Sequence, residues 1–371
     1  MSWESRLRTF LRYGAGGNPG ILRLEREPCY FDALQVEGTT TDVLVARDGR
    51  KIVALGTRSE KPCFINGIPE PKMTGYVSNV LIAPGYRNSS LFFRGYRLFK
   101  QLHQAGQCTF YLLTVLAGNM KVLNVLQKNA GFSLLTPYRA GLPLLEPWGT
   151  YNTYVLGVTP SGVNSTGVSG LSVRRAEAAD VPAIITFFRN HGPRRQFFPS
   201  YSEDDILSRS GLLKGLSVND IFLARQGGEL VGTLGVWNQT GFRQWHVHDE
   251  KAYTDMCTIL DPAHRGSQPS PSCTDQGSKL NCRMLALMCI TGDRPDIFSA
   301  LLGRINLCCR SKGDLPFLLL GLHETDPLNA CIKRQPHVLF ESHMYVLSWN
   351  NTENRHKQLN KMIPYLELGS L

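Results

Sequence analysis

The sequence has 371 residues, of which 42% are hydrophobic, 9% aromatic and 19% charged. This composition excludes a chain that is disordered throughout, and the length favours two domains of ordinary size. The formal net charge of +10 favours anionic partners such as phosphates, but no run of five or more like charges exists, so nucleic acid is the least favoured of them.

The cysteines and the apolar stretches indicate a reduced, cytoplasmic protein. None of the ten cysteines forms a C-x-x-C pair, and the only close pair is Cys308 and Cys309. No apolar stretch is long enough to span a bilayer, and residues 1–12 lack a signal-peptide core. We therefore expect no membrane partner. His246 and His248 could share one face of a strand, but an ordinary surface pair is the favoured interpretation, so we expect no metal site.

The first half of the chain is predicted to alternate strands and helices. Residues 1–20 are predicted to be a flexible lead-in, because their Gly-rich end neither follows a strand nor opens a helix. The elements that follow are a strand over 21–26, a short helix over 28–34, a hairpin at 43–57, a strand over 76–82, a helix over 89–104, a strand over 109–115, a helix over 119–129 and a strand over 151–158.

The second half is predicted to repeat that order after a linker at 159–170, which is rich in Gly, Ser and Thr. Its domain covers 171–350, carries a polar insertion at 238–278, and is followed by a peripheral tail at 351–371. Its elements are a strand over 171–176, a helix from 180, a hairpin at 221–236, and then strand 280–290, helix 296–309, strand 315–321, helix 326–334 and strand 343–349.

Corresponding residues in the two halves support a duplication. Ala46 in the first hairpin matches Ala224 in the second, and Asn119 after a first-half strand matches Asp326 after a second-half strand. The order of elements agrees across both halves, with one long insertion in the second. We therefore predict a mixed α/β fold built from two related domains, over 21–158 and 171–350.

Three motifs carry a family resemblance. Residues 173–180 read VRRAEAAD, residues 81–88 read LIAPGYRN, and residues 119–132 begin with Asn and end with Gly-Phe. In this order the chain resembles the Gcn5-related N-acetyltransferase (GNAT) superfamily, here as a tandem pair. The resemblance implies a mixed sheet that splays between its fourth and fifth strands.

The resemblance also implies an acyl-CoA site in the first domain, with acetyl-CoA or another acyl-CoA as co-substrate. The pantetheine arm would bond the backbone of strand 76–82, and the pyrophosphate would lie on amides at the start of the next helix. A helix N-terminus suits a diphosphate because its N–H groups are unpaired and carry partial positive charge. The residues implied are Val80, Leu81, Ile82, Arg87, Asn88, Ser89, Ser90, Leu91, Phe92 and Asn119.

The sequence departs from the family pattern at several positions. Ser90 and Phe92 stand where the family loop has glycine, and strand 76–82 has no Glu to act as a base. Tyr76 is the candidate for the base. The alternative is that Tyr76 is a half-buried strand aromatic with a structural role only.

The second domain departs further from the pattern, because Asp293 and Asp296 oppose diphosphate binding by charge repulsion. Residues 260–266 also match the loop motif, but two prolines follow, and we predict a loop.

Two groups of residues are candidates for binding the acceptor. Trp237, Phe242 and Trp245 could line a pocket or cover the edge of the sheet. His323 and Glu324 follow a strand where open sheets often bind ligands.

These observations predict an acyl-CoA-dependent N-acyltransferase that acts on a small-molecule or peptide amine. The alternative is a non-catalytic tandem GNAT-like module that binds acyl-CoA or serves as a scaffold, which the loop departures favour. An RNA-associated basic protein would rest on charge alone. The oligomeric state is left open.

Overall fold

The computed structural model describes residues 2–14, 22–87, 89–119, 122, 142–158, 170–260, 278–311, 316–349 and 359–371. Within these ranges no helix has the length and apolarity needed to cross a bilayer. The nine cysteines they contain carry free thiols. The predicted helix over 119–129 except residues 119 and 122, most of the linker at 159–170, and residues 261–277 of the insertion lie outside the described residues.

The N-terminal half contributes six strands and three helices to the described residues. These are α1 (Trp3–Thr9), β1 (Leu22–Glu25), α2 (Tyr30–Leu34), β2 (Thr40–Asp48), β3 (Lys51–Ile65), β4 (Ile68–Ile82), α3 (Leu91–Ala105), β5 (Tyr111–Leu116) and β6 (Leu144–Leu156). Strand β4 begins eight residues earlier than predicted. Residues 68–72 are exposed and interrupted by two prolines, which argue against a strand, yet residues 68, 72 and 73 pair with β3.

The C-terminal half contributes the remaining strands and helices of the described chain. These are β7 (Leu171–Arg175), α4 (Val181–His191), α5 (Glu203–Leu207), β8 (Ile221–Gln226), β9 (Glu229–Trp237), β10 (Gln244–Val247), α6 (Glu250–Leu260), β11 (Ser278–Lys279), β12 (Cys282–Ile290), α7 (Pro295–Ser311), β13 (Phe317–His323), α8 (Asn329–Ile332) and β14 (His337–Ser348). The described part of the insertion thus contains β10 and α6, and β11 begins at its last residue.

Eleven strands form one sheet in the order β2-β3-β4-β5-β14-β6-β13-β12-β9-β8-β7. The last strands of the two halves are exchanged: β14 pairs with β5 of the N-terminal half, while β6 pairs with β13 of the C-terminal half. Both exchanged strands also pair with each other. One hydrophobic core joins Phe64 and Tyr76 of the first half to Ile184 and Phe188 of the second. The mixed α/β fold is confirmed, but the halves are interlocked.

Because of this exchange, residues 1–158 expressed alone are expected not to fold. Strand β5 would lose its antiparallel partner β14, and Tyr154 and Leu156, at 0% and 2% exposure, would lose their cover from the C-terminal half. Solubility and circular dichroism of this fragment, with and without co-expressed 159–371, test the expectation. A soluble 1–158 that unfolds cooperatively by itself would contradict it.

The predicted flexible lead-in is wrong for residues 2–14. Ser2 accepts a hydrogen bond from the Ser5 amide (3.1 Å) at the start of α1, and a π-helical turn over Phe10–Gly14 continues it. Leu7 and Phe10 are buried against α2 and β3. The sequence analysis missed this because the segment is short and is followed by a Gly-rich stretch. The sequence predicted strand β1 but not its partner. Strand β1 pairs with β10 of the insertion in a separate three-stranded sheet.

The sheet opens between two pairs of parallel strands. Strands β4 and β5 pair only at Gly75–Tyr111 and Tyr76–Leu112, and β12 and β13 only over the first three residues of β12. At the closed end of the first pair, a Cβ on residue 75 would lie 1.9 Å from the Tyr111 ring, so only glycine fits. The expected splay between fourth and fifth strands is therefore confirmed, and it occurs once in each half.

Candidate functional site

The first candidate feature is the edge of β4 that borders the opening. Leu81 and Ile82 pair with β3 on their other side, and Asn79 lies at a register shift with φ +53°. This bulge turns the backbone, so Asn79 and Val80 have no ladder partner on β3. Val80, Leu81 and Ile82 are partly exposed. Their backbone groups face a gap of the kind that an extended ligand can fill by hydrogen bonding.

The second feature is the loop that joins β4 to α3. The Ser89 hydroxyl donates to the Tyr86 carbonyl (2.5 Å) and accepts from the Leu91 amide (3.3 Å), while Ser90, at the N-cap, makes no side-chain cap. Arg87 lies beside the end of β4, with its Nε 3.4 Å from the Ile82 carbonyl oxygen. Asn88 lies outside the described residues. The first turn of α3 and the Arg87 cation thus lie together at the end of β4.

Phe92 and Asn119, two further predicted site residues, have different surroundings. The Phe92 ring packs on Tyr96, with centroids 4.9 Å apart, and against the cluster that includes Val77 and Phe99. Its ring therefore contributes to the core beneath α3. Asn119 is exposed beyond the end of β5, where its side-chain oxygen accepts from the Val122 amide (3.4 Å). Binding of a diphosphate by these residues stays a prediction.

Tyr76 lies near the closed end of the opening and bridges the two strands. Its hydroxyl is 2.6 Å from the Thr114 hydroxyl of β5, and its side chain is 8% exposed. Burial raises the pKa of Tyr76 to about 12. A phenol of this kind is protonated at neutral pH, so the geometry suits a hydrogen-bond donor better than the base for which the sequence suggested it.

A buried carboxylate that the sequence analysis missed supports the bulge from behind. Glu37 is fully buried and accepts from the Ser78 hydroxyl (3.0 Å), next to Asn79. Arg26 and Arg243 lie 2.7 and 3.7 Å from its Oε1. Burial opposes ionisation, but the two guanidinium groups hold the pKa of Glu37 below its ordinary value. No local pattern marks this residue, since Arg243 is far away in sequence.

In the C-terminal half, the equivalent opening is filled by the end of the chain. Leu287, with φ +53°, forms the bulge of β12, and its amide donates to Glu367 Oε2 (2.8 Å). The Met288 amide donates to the Tyr365 hydroxyl (3.2 Å). Arg243 donates to the carbonyls of Gly369 (2.7 Å) and Leu371. The chain itself therefore occupies the position that the N-terminal half leaves open.

The predicted peripheral tail is accordingly wrong for its last residues. Tyr365, Leu366 and Leu368 are 6–7% exposed and belong to the main core. The segment is too short for a periodic apolar pattern, so its burial was not visible in the sequence. Residues 350–358 lie outside the described ranges.

The two acidic residues at the start of α7 form ion pairs with arginines. Asp293 pairs with Arg195, and Asp296 pairs with Arg294. Arg195 also donates to Asp326 at 2.6 Å. These contacts assign the carboxylates to structural ion pairs.

The proposed acceptor candidates of the C-terminal half also have structural roles. The two ring nitrogens of His323 lie 2.8 Å from the Thr325 hydroxyl and 2.7 Å from the Trp148 carbonyl. Trp237 is fully buried and donates to the Lys214 carbonyl (2.8 Å), and Phe242 is 6% exposed. Trp237 and Phe242 thus cover the sheet. Among the described residues there is no group of three or more metal-ligating side chains, so His246 and His248 are not part of such a group.

A small cavity lies at the closed end of the N-terminal opening. Its volume is about 20 Å³, and it is lined by β3, β4, β5, the segment after α4 and the end of the chain. Its lining is mostly apolar, although Tyr76, Lys61 and Glu367 are among the residues around it. The cavity brings together residues that are about 300 positions apart in the sequence.

Comparison with known proteins gives matches in structure. No protein-family model and no curated protein matches the chain. One solved structure is described as a GCN5-related glucosamine N-acetyltransferase region of a fungal multi-domain GH3 β-N-acetylglucosaminidase; the match has 12% identity, TM-score 0.55, and covers 85% of this chain and 34% of that chain. Another is the N-myristoyltransferase of Saccharomyces cerevisiae with bound myristoyl-CoA, at 9% identity and TM-score 0.53, covering 93% and 75%.

At these low identities the two matches show a shared fold and nothing more. The chain spans about a third of the length of the first of these structures. The chain has the fold of the GCN5-related N-acetyltransferase superfamily.

Proposed function

We propose that this protein is an acyl-CoA-dependent N-acyltransferase, with acetyl-CoA as the donor and a small-molecule or peptide amine as the acceptor. The observation that carries the proposal is the contrast between the two openings. The C-terminal one is filled by Tyr365 and Glu367, whereas the N-terminal one presents an open, bulged edge of β4 that leads directly to Arg87 and the start of α3.

In the proposed reaction, the pantetheine arm bonds to the backbone of Val80, Leu81 and Ile82, and the diphosphate lies on the loop at Arg87–Phe92. The amine attacks the thioester carbonyl carbon directly, and backbone amides near the bulge stabilise the developing oxyanion. The amide product forms as the C–S bond breaks and the CoA thiolate leaves. We also propose a cytoplasmic location, where acyl-CoA would be at hand.

Calorimetric titration with acetyl-CoA is expected to show one bound molecule per chain, because among the described residues the tail fills the C-terminal opening and nothing fills the N-terminal one. Release of CoA in the presence of glucosamine, a lysine-containing peptide or a peptide with a free N-terminus tests turnover. Two sites per chain would contradict the assignment of the C-terminal opening, and no binding heat would overturn the proposed function.

A non-catalytic acyl-CoA-binding module is the second candidate. It is favoured by Ser90 and Phe92, which stand where the family loop has glycine. Binding of one acetyl-CoA without release of CoA with any of the three acceptors would support this candidate.

A further inference from the structure

One loop of the C-terminal half contacts the tail and the N-terminal half at the same time. The loop joins β9 to β10, and its buried side chains Gln239 and Arg243 both donate to the Gly369 carbonyl, each at 2.7 Å. Arg243 also donates to the Leu371 carbonyl. The same guanidinium lies 3.7 Å from Glu37 Oε1 in the N-terminal half. Arg243 is therefore shared between the tail and the carboxylate behind β4.

The other oxygen of Glu37 supports the bulge of β4. The Ser78 hydroxyl donates to Glu37 Oε2 (3.0 Å) and accepts from Asn79 Nδ2 (3.1 Å). Asn79 has φ +53°, and a residue other than glycine keeps this conformation only where its surroundings hold it. A continuous line of contacts thus runs from the tail through Arg243 and Glu37 to the bulge.

Arg243 depends strongly on its tail contacts. Burial and the nearby Arg26 lower the pKa of Arg243 to about 10, while Glu37 opposes that change, so the side chain is cationic at neutral pH. Among the described residues, no group accepts a hydrogen bond from its Nε. A buried charge that is only partly satisfied is costly, so the two tail carbonyls matter for keeping it in place.

The distance between Arg243 and Glu37 gives the direction of the effect. At 3.7 Å the two groups attract each other but are too far apart for a hydrogen bond. If the tail carbonyls moved away, Arg243 could regain an acceptor by closing this gap. Glu37 would then be drawn towards Arg243 and away from Ser78, and the bulge would lose its support.

We propose that Arg243 is a positioning residue for strand β4, and that docking of the tail at Gly369 and Leu371 strengthens acyl-CoA binding at the N-terminal opening. The inference rests on the acyl-CoA binding of the proposed function. Arg243 acts through Glu37 and Ser78 on the shape of the β4 edge, without touching the donor. By linkage, the bound donor stabilises the docked tail by the same factor as the tail strengthens binding.

The first test is Gly369→Ala, which displaces the tail without changing any charge. A Cβ at residue 369 would lie 2.6 Å from the Trp237 ring, so the tail backbone has to move. We expect the Kd for acetyl-CoA, measured by calorimetry, to rise about 5-fold or more. Gly241→Ala is the matched control, because it lies in the same loop and its Cβ would meet open space. Its Kd should equal that of the wild type.

A double-mutant cycle separates this route from a general loosening of the fold. Ser78→Ala cuts the line of contacts at the bulge, so adding Gly369→Ala to it should change the Kd by less than about 2-fold. The same fold-change in both backgrounds would show that the tail acts by another route, and would overturn the inference. So would a Gly369→Ala protein that loses stability in urea but keeps the wild-type Kd.

Amide hydrogen exchange keeps the proposal testable if Gly369→Ala fails to fold. In the wild type, saturating acetyl-CoA should slow exchange at the bonded amides of Tyr365, Ser370 and Leu371 about 5-fold or more, relative to amides of β8. Arg243→Lys offers one nitrogen where Arg243 uses two, and should show no such slowing. Unchanged tail exchange in the wild type, or equal slowing in Arg243→Lys, would overturn the inference and leave acyl-CoA binding intact.

The same samples distinguish failure of this inference from failure of the proposed function. Absence of acetyl-CoA binding to the wild type would overturn both proposals. Tail protection in a protein that binds acetyl-CoA but releases no CoA would support the role of Arg243 and count against turnover alone.

Discussion

Replacement of Arg87 by glutamate is expected to weaken acetyl-CoA binding by about 10- to 100-fold, or roughly 1.4 to 2.8 kcal/mol. Arg87 lies at the end of β4 and ahead of α3, where its charge would complement a diphosphate. The substitution replaces that attraction with repulsion. Calorimetry with acetyl-CoA at two salt concentrations measures the effect, which should shrink as salt increases.

The control for Arg87→Glu is Arg304→Glu, which makes the same charge change on an exposed position of α7 in the C-terminal half. Because the tail fills that half's opening, the control should leave acetyl-CoA affinity unchanged. Equal losses in the two variants would mean that overall charge, and not a built site, attracts the ligand. No loss in Arg87→Glu would place the diphosphate elsewhere.

The largest stability effect is expected from Glu37→Gln. Glu37 is 0% exposed, and the substitution leaves Arg26 and Arg243 buried without their carboxylate. Breaking a buried ion pair in this way typically costs about 3–5 kcal/mol. Arg243 also holds the carbonyls of Gly369 and Leu371, so the tail should loosen as well. Urea unfolding measures the free energy of unfolding of both proteins.

The contribution of Glu37 should depend on pH with a defined sign. Its pKa in the folded state is below the ordinary value, which is about 4.3 in an unfolded chain. Its stabilisation is therefore fully present above that value and is lost as the pH falls through the lower folded-state pKa. The difference between the wild type and Glu37→Gln should narrow in acid. A difference that is constant between pH 7 and pH 3 would contradict an ionised Glu37.

Asp32→Asn is the matched control for Glu37→Gln. Asp32 pairs with Lys214, but both side chains are partly exposed. A pair of this kind is worth less than about 1 kcal/mol because water solvates and screens both charges. A comparable loss in the two variants would show that burial is not what makes Glu37 important.

Part of the candidate site could be predicted from the sequence because its signals are local. The strand that ends at Ile82, the Pro84-Gly85 turn and the amphipathic helix after Ser89 are neighbours in the chain, so their order places the loop at the end of β4. The roles of Glu37 and Glu367 could not be predicted in this way. Their burial depends on Arg243 and Leu287, which are more than 75 residues away from each carboxylate that they contact.

The sequence by itself determined that this chain forms a mixed α/β protein, because residue alternation, helical periodicity and turn residues act over a few positions. The splay of the sheet was implied only by the family resemblance. Only the tertiary structure decided which strands pair: β6 and β14 change places, and β1 joins β10. It also decided that Tyr365 and Glu367 fill the opening of the C-terminal half. Strand edges offer the same backbone groups to any partner, so the choice among partners follows from how the whole chain buries its apolar surface.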